Sequence, residues 1–73
     1  MNETIVTHCI RLNGERRQIP VDTTIAVLLS ELELNAAQVA VEVNMELAPR
    51  AEHAKRRLAN GDQVEIVTLV GGG

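Results

Sequence analysis

Asn13-Gly14 is the dipeptide that most limits what this chain can become, because it stands between two segments of alternating character. A two-residue hairpin turn of the favoured kind needs positive φ at both central positions, which Asn and Gly adopt at least cost. Thr7-His8-Cys9-Ile10-Arg11-Leu12 runs into it with Ile10 and Leu12 on one face and Cys9 and Arg11 on the other, as a half-buried strand requires. Residues 16–21 return antiparallel, with Ile19 inward and Pro20, which lacks an amide hydrogen, ending the pairing.

The period then changes. Asp22-Thr23-Thr24 offers side-chain oxygens where the unpaired amides of a helix start need acceptors, and Ile25, Leu28, Leu29 and Leu32 follow at helical spacing. Ser30, Glu31 and Glu33 hold the opposite face, and Asn35 is the expected stop. Residues 38–43 alternate again, with Val39, Val41 and Val43 on one side. Asn44-Met45-Glu46 reads as a turn and Leu47-Ala48 as a very short strand before Pro49. Residues 50–58 hold one short helical turn, and Asn60-Gly61-Asp62 is a second strong turn signal. The final strand, residues 63–69, sets Val64 and Ile66 against Gln63 and Glu65, so Val67 and Leu69 point outward just before Gly71, Gly72 and Gly73.

One helix closing one face of a mixed sheet of four to five strands is the economical way to bury this order, giving a single α+β domain. The domain is expected over residues 8–70. Residues 1–7 are an N-terminal extension or the start of the first strand, and residues 71–73 a flexible glycine tail.

Composition narrows the function. The chain has 73 residues and no Phe, Trp or Tyr, so Val, Ile, Leu and Ala must fill the core and stacking on a flat base or cofactor is excluded. A formal net charge of −3 argues against a nucleic-acid or anionic-membrane partner. Arg50, Lys55, Arg56 and Arg57, with Arg16 and Arg17, form a solvated basic face or an anion site; such runs ordinarily keep a surface wet. One cysteine, Cys9, allows no internal disulfide and no metal cluster, and reads as a small apolar filler on its strand. His8 and His53 lack companions at ligand spacing, so no metal site is expected. No signal-peptide pattern and no bilayer-length apolar run stands out, which leads to the expectation of a soluble, cytoplasmic protein.

The order of elements and the residues at their joints resemble the ubiquitin-like β-grasp fold and, within it, the thiazole-synthesis sulfur carrier (ThiS) family. The similarity lies in Leu12-Asn13-Gly14-Glu15, in Asp22-Thr23-Thr24-Ile25 with Leu28-Leu29, and in Val39-Ala40-Val41-Glu42-Val43-Asn44 followed by Pro49-Arg50. Its most specific part is Asn60-Gly61-Asp62-Gln63-Val64-Glu65-Ile66-Val67 leading to Val70-Gly71-Gly72-Gly73. His53 stands where the family has a tryptophan, and Met45 where glycine is common.

What the resemblance implies is a protein co-substrate rather than an enzyme. The carboxylate of Gly73 would be adenylated by a ThiF-like activating enzyme using ATP and Mg²⁺. Sulfur from a donor such as a cysteine desulfurase would then make it a thiocarboxylate, which a ThiG-like thiazole synthase consumes. Gly71 and Gly72 would enter partner active sites, since glycine without Cβ passes a narrow channel, and three extended residues reach about 10 Å. Val67 and Leu69 form an expected docking surface, with Arg50 steering a partner or making a surface ion pair. No cofactor is expected on the chain itself. The alternatives are a molybdopterin-type sulfur carrier and a non-covalent ubiquitin-like docking module.

Overall fold

The computed structural model describes residues 6–69. β1 (Thr7–Leu12) and β2 (Glu15–Pro20) form the expected hairpin, closed by Leu12 opposite Glu15, with Asn13 and Gly14 at φ 50° and 86°. Positive φ at both positions gives the turn the same twist as its strands. Helix α1 (Ile25–Glu31) follows, then β3 (Val39–Val43), β4 (Glu46–Leu47) and β5 (Gln63–Thr68), with 3₁₀ turns at Ala36–Gln38 and Arg50–Glu52. The sheet order is β2-β1-β5-β3-β4, with β5 parallel to β1 and every other pair antiparallel. The last strand therefore lies in the centre of a five-stranded mixed sheet, the upper end of the four to five strands expected.

The core is aliphatic throughout, as the absence of aromatic residues demands. Ile25, Leu28 and Leu29 of α1 meet Ile10, Ile19, Val39, Val41, Val43 and Val64 of the sheet, and Ala48 and Leu58 close the cluster. Burying each Val, Ile or Leu side chain contributes about 1.5–3 kcal/mol, so the helix face and the strand alternation together hold the fold. His53 is the one titratable side chain in this interior among the described residues: its Nε2 donates to the Ala48 carbonyl at 3.0 Å, and its own carbonyl accepts from Ala26 N–H at 3.0 Å.

Three local details depart from the expectation or sharpen it. Of the candidate caps at the helix start, Thr24 does the capping, its Oγ1 accepting from Val27 N–H at 3.2 Å, while buried Thr23 donates its hydroxyl to the Pro20 carbonyl. The helix stops before Asn35. Leu34 N–H bonds back to the Leu29 carbonyl and Glu33 N–H to that of Ser30, with Glu33 left-handed at φ 59°, which is the arrangement that satisfies the last carbonyls of a helix. Asn35 instead caps the next turn by accepting from Ala37 N–H at 2.9 Å. The β3–β4 turn, expected over Asn44-Met45-Glu46, has only Asn44 and Met45 at its tip, at φ 53° and 69°, so Glu46 belongs to β4.

Asparagine amides extend the ladder where strands end. Asn13 accepts from Ile66 N–H at 2.8 Å and donates to the Ile66 carbonyl at 3.3 Å, taking over beside β5 where β1 turns away. Asn60 accepts from Cys9 N–H at 2.8 Å, and Asn44 accepts from Gln63 N–H at 3.0 Å while donating to Asp62. These side chains tie three turns to β1 and β5.

Candidate functional site

Strand alternation gives β5 two unlike faces. Val64 and Ile66 turn toward the helix, whereas Gln63, Glu65 and Val67 turn to the open side of the sheet. Direct pairing of Ala40 with Val67 and of Glu42 with Glu65 places β3 partners beside them on that open side. Val67 and Leu69 are 54% and 51% exposed, as expected of outward residues, and Leu69 N–H still bonds to the Gln38 carbonyl at 2.8 Å just beyond β5. The chain is thus held to β3, and then to the turn before it, up to the last described residue. Gly71, Gly72 and Gly73 lie outside the described residues, as does Val70.

Leu47 adds an apolar group that reading the sequence missed. It pairs with Glu42, so it projects on the same open side, and it is 64% exposed. The signal was the register of β4 on β3, which a two-residue strand does not declare in its own pattern. Arg50 opens the 3₁₀ turn after β4 and is exposed. It makes no side-chain hydrogen bond and no ion pair among the described residues. The one ion pair among the described residues joins Arg57 to Asp22 at 3.9 Å, both side chains 73% exposed, and contributes little.

Cys9 is half-buried on the open side of β1 and is not part of the aliphatic core, so the filler role expected of it does not apply. His8 is half-buried on β1 and His53 is buried beneath the Arg50–Glu52 turn. Among the described residues no group of three or more His, Cys, Asp and Glu side chains could hold a metal ion, and no helix is long and apolar enough to cross a membrane.

A sequence model of the ThiS family matches residues 10–73, the hairpin through the glycine triplet. The chain belongs to the ThiS family. Its similarity to the sulfur carrier protein ThiS of Escherichia coli is 28% identity over 64 residues, covering 88% of this chain and 97% of that protein. A crystal structure of a ThiS thiamine biosynthesis protein from Geobacter metallireducens superposes with a TM-score of 0.76 at 29% identity, covering 89% of this chain and 99% of the other. The β-grasp arrangement is therefore shared across the whole of that ThiS domain. A thiazole synthase of Paramagnetospirillum magneticum is 40% identical over 62 residues, 85% of this chain. This chain spans only 19% of that relative's length, so a ThiS-like segment there belongs to a much larger thiazole synthase.

Proposed function

We propose that this chain is a sulfur carrier of thiamin (thiazole) biosynthesis, working in the cytoplasm as a co-substrate of other enzymes. A carboxylate is a poor electrophile, so a ThiF-like enzyme with ATP and Mg²⁺ first converts that of Gly73 to an acyl-adenylate, releasing pyrophosphate. The terminal sulfur of a persulfide charged by a cysteine desulfurase attacks the acyl carbon and displaces AMP, and a thiol then cleaves the resulting acyl disulfide, leaving the thiocarboxylate and a disulfide. Gly71 and Gly72 carry this group into the partner's active site, where a thiazole synthase takes the sulfur. The body supplies grip rather than chemistry: Val67 and Leu69, with Ala40 and Leu47, offer the apolar surface that docks the activating enzyme.

The observation that carries this proposal is the family match running through Gly73, together with a central last strand that ends in exposed apolar side chains. Intact-protein mass spectrometry tests it. Incubation with the activating enzyme, ATP, Mg²⁺ and a sulfur source is expected to add the mass difference of one oxygen replaced by sulfur, located on the terminal peptide. A chain extended by one residue past Gly73 is expected to show no gain, because its reactive carbonyl is capped. Absence of the gain in the unextended chain, with an enzyme proven on another carrier, would overturn the proposal.

A further inference from the structure

The open face beside the start of β5 carries a feature that the carrier chemistry does not use. Arg11 and Arg16 are direct partners across the β1–β2 ladder, and both are exposed on the open side. Like charges directly opposite each other destabilise a sheet, and neither guanidinium has a carboxylate within ion-pair distance among the described residues. They border a shallow cavity of about 270 Å³ that is completed by Cys9, Ile10, Asn60, Gly61 and Gln63. Arg11 spends one N–H on the Gly14 carbonyl at 3.2 Å, which leaves the rest of its fork free.

We propose that Arg11 and Arg16 form a carboxylate-binding subsite that takes an acidic side chain of the thiazole synthase and sets its orientation on the carrier. The proposal rests on the carrier function above. Two guanidinium groups side by side match the two oxygens of a carboxylate. A cradled phosphate would also want main-chain donors, and four of those lining the cavity are already spent. Cys9 N–H bonds to Asn60, Arg11 N–H to the Asp62 carbonyl, Gly61 N–H to the Cys9 carbonyl, and Gln63 N–H to Asn44.

The rest of the face supports a protein occupant. From Gln63 to Leu69 the strand advances about 20 Å at roughly 3.3 Å per residue, whereas one side of a standard interface, about 800 Å², is about 30 Å across. A single partner can therefore cover the arginine pair and the tail exit together. Along the way it meets the arginine pair, then the directly paired Glu42 and Glu65, then Ala40 paired with Val67. A partner presenting an anion, a cation and an apolar group in that order fits one way round only, which aims the tail. The fused relative places a thiazole synthase and a ThiS-like segment in one polypeptide, and this argues for the synthase as the occupant.

The test uses the whole chain and the thiazole synthase of the same cells, with affinity read by calorimetry, so that sulfur transfer is not needed. Arg11→Gln/Arg16→Gln is expected to weaken binding by about tenfold or more and to flatten its dependence on salt. The free variant should melt at the same or a higher temperature, because a like-charge pair has been removed, whereas a merely structural role would lower it. Arg56→Gln/Arg57→Gln, an equal change of charge elsewhere, should leave affinity within about twofold. Arg11→Lys/Arg16→Lys should restore only part of the affinity, since it keeps the charge and loses the fork. Unchanged affinity in the glutamine variant, no binding of the synthase by the wild type, or a defect confined to sulfur loading would each overturn the proposal. Saturable binding of inorganic phosphate at the two arginine side chains, followed by NMR at submillimolar phosphate, would also overturn it in favour of a free anion. Failure of the carrier function itself would appear separately, as absence of the thiocarboxylate mass gain.

Discussion

Replacing Asn13 separates two contributions that meet at one residue. Its side chain makes two hydrogen bonds to the Ile66 main chain, at 2.8 and 3.3 Å, and its backbone is left-handed at φ 50°. Asn13→Gly keeps the left-handed conformation at no steric cost and loses only the side-chain bonds. At about 0.5–1.5 kcal/mol per bond, with the lower half appropriate to an exposed site, the loss is about 1–2 kcal/mol. Asn13→Ala loses the same bonds and adds roughly 1 kcal/mol for placing Cβ in the left-handed region, so about 2–3 kcal/mol in all. For a domain of this size each kcal/mol lowers the melting temperature by about 4–8 °C. Urea denaturation with the slope held common gives both values, and hydrogen exchange at the Ile66 amide should speed up in both variants. A glycine variant as stable as wild type, with Ile66 exchange unchanged, would refute the claim that this amide braces β5. Glycine and alanine variants of equal stability would refute the conformational part alone.

Other outcomes follow from features already described. Met45→Gly relieves a left-handed φ of 69° at a residue 90% exposed, and should stabilise the domain by about 0.5–1 kcal/mol in the same denaturation assay. Glu33→Gly, at the left-handed position that ends α1, should do the same to a similar extent, about 0.5–1 kcal/mol. His53→Ala removes a buried ring and its bond to Ala48, and should cost about 2–4 kcal/mol, read as a lower urea midpoint. Val67→Ala/Leu69→Ala should cost about 1–2 kcal/mol of stability, because two half-buried side chains each give up part of their apolar burial, while raising the KM of the activating enzyme for the carrier about tenfold.

Elements whose cause is local could be read from the sequence. Asn13-Gly14 between alternating runs fixed the first hairpin, Thr24 ahead of Ile25, Leu28 and Leu29 marked the helix, and the outward parity of Val67 and Leu69 followed from Val64 and Ile66. What escaped has causes at a distance. The amide of Asn13 finds Ile66 and that of Asn60 finds Cys9 across more than fifty residues of chain, and no nearby pattern announces such pairs. Glu33 ends the helix because backbone bonds from Leu34 and Glu33 fold back on it, a role for which Asn35 looked the better candidate by residue type. The Arg11–Arg16 pairing needed the register of two strands, and Leu47 needed that of a third pair.

The position of β5 has a mechanical consequence. Its N-terminal half is flanked by β1 and then by the Asn13 amide, and residues 64–68 by β3, with Leu69 still bonded to Gln38. Traction on the glycine end therefore runs along the strand and shears many hydrogen bonds at once, instead of peeling them open one after another. An enzyme that draws the terminus into a tight channel can haul on it without unravelling the domain behind it.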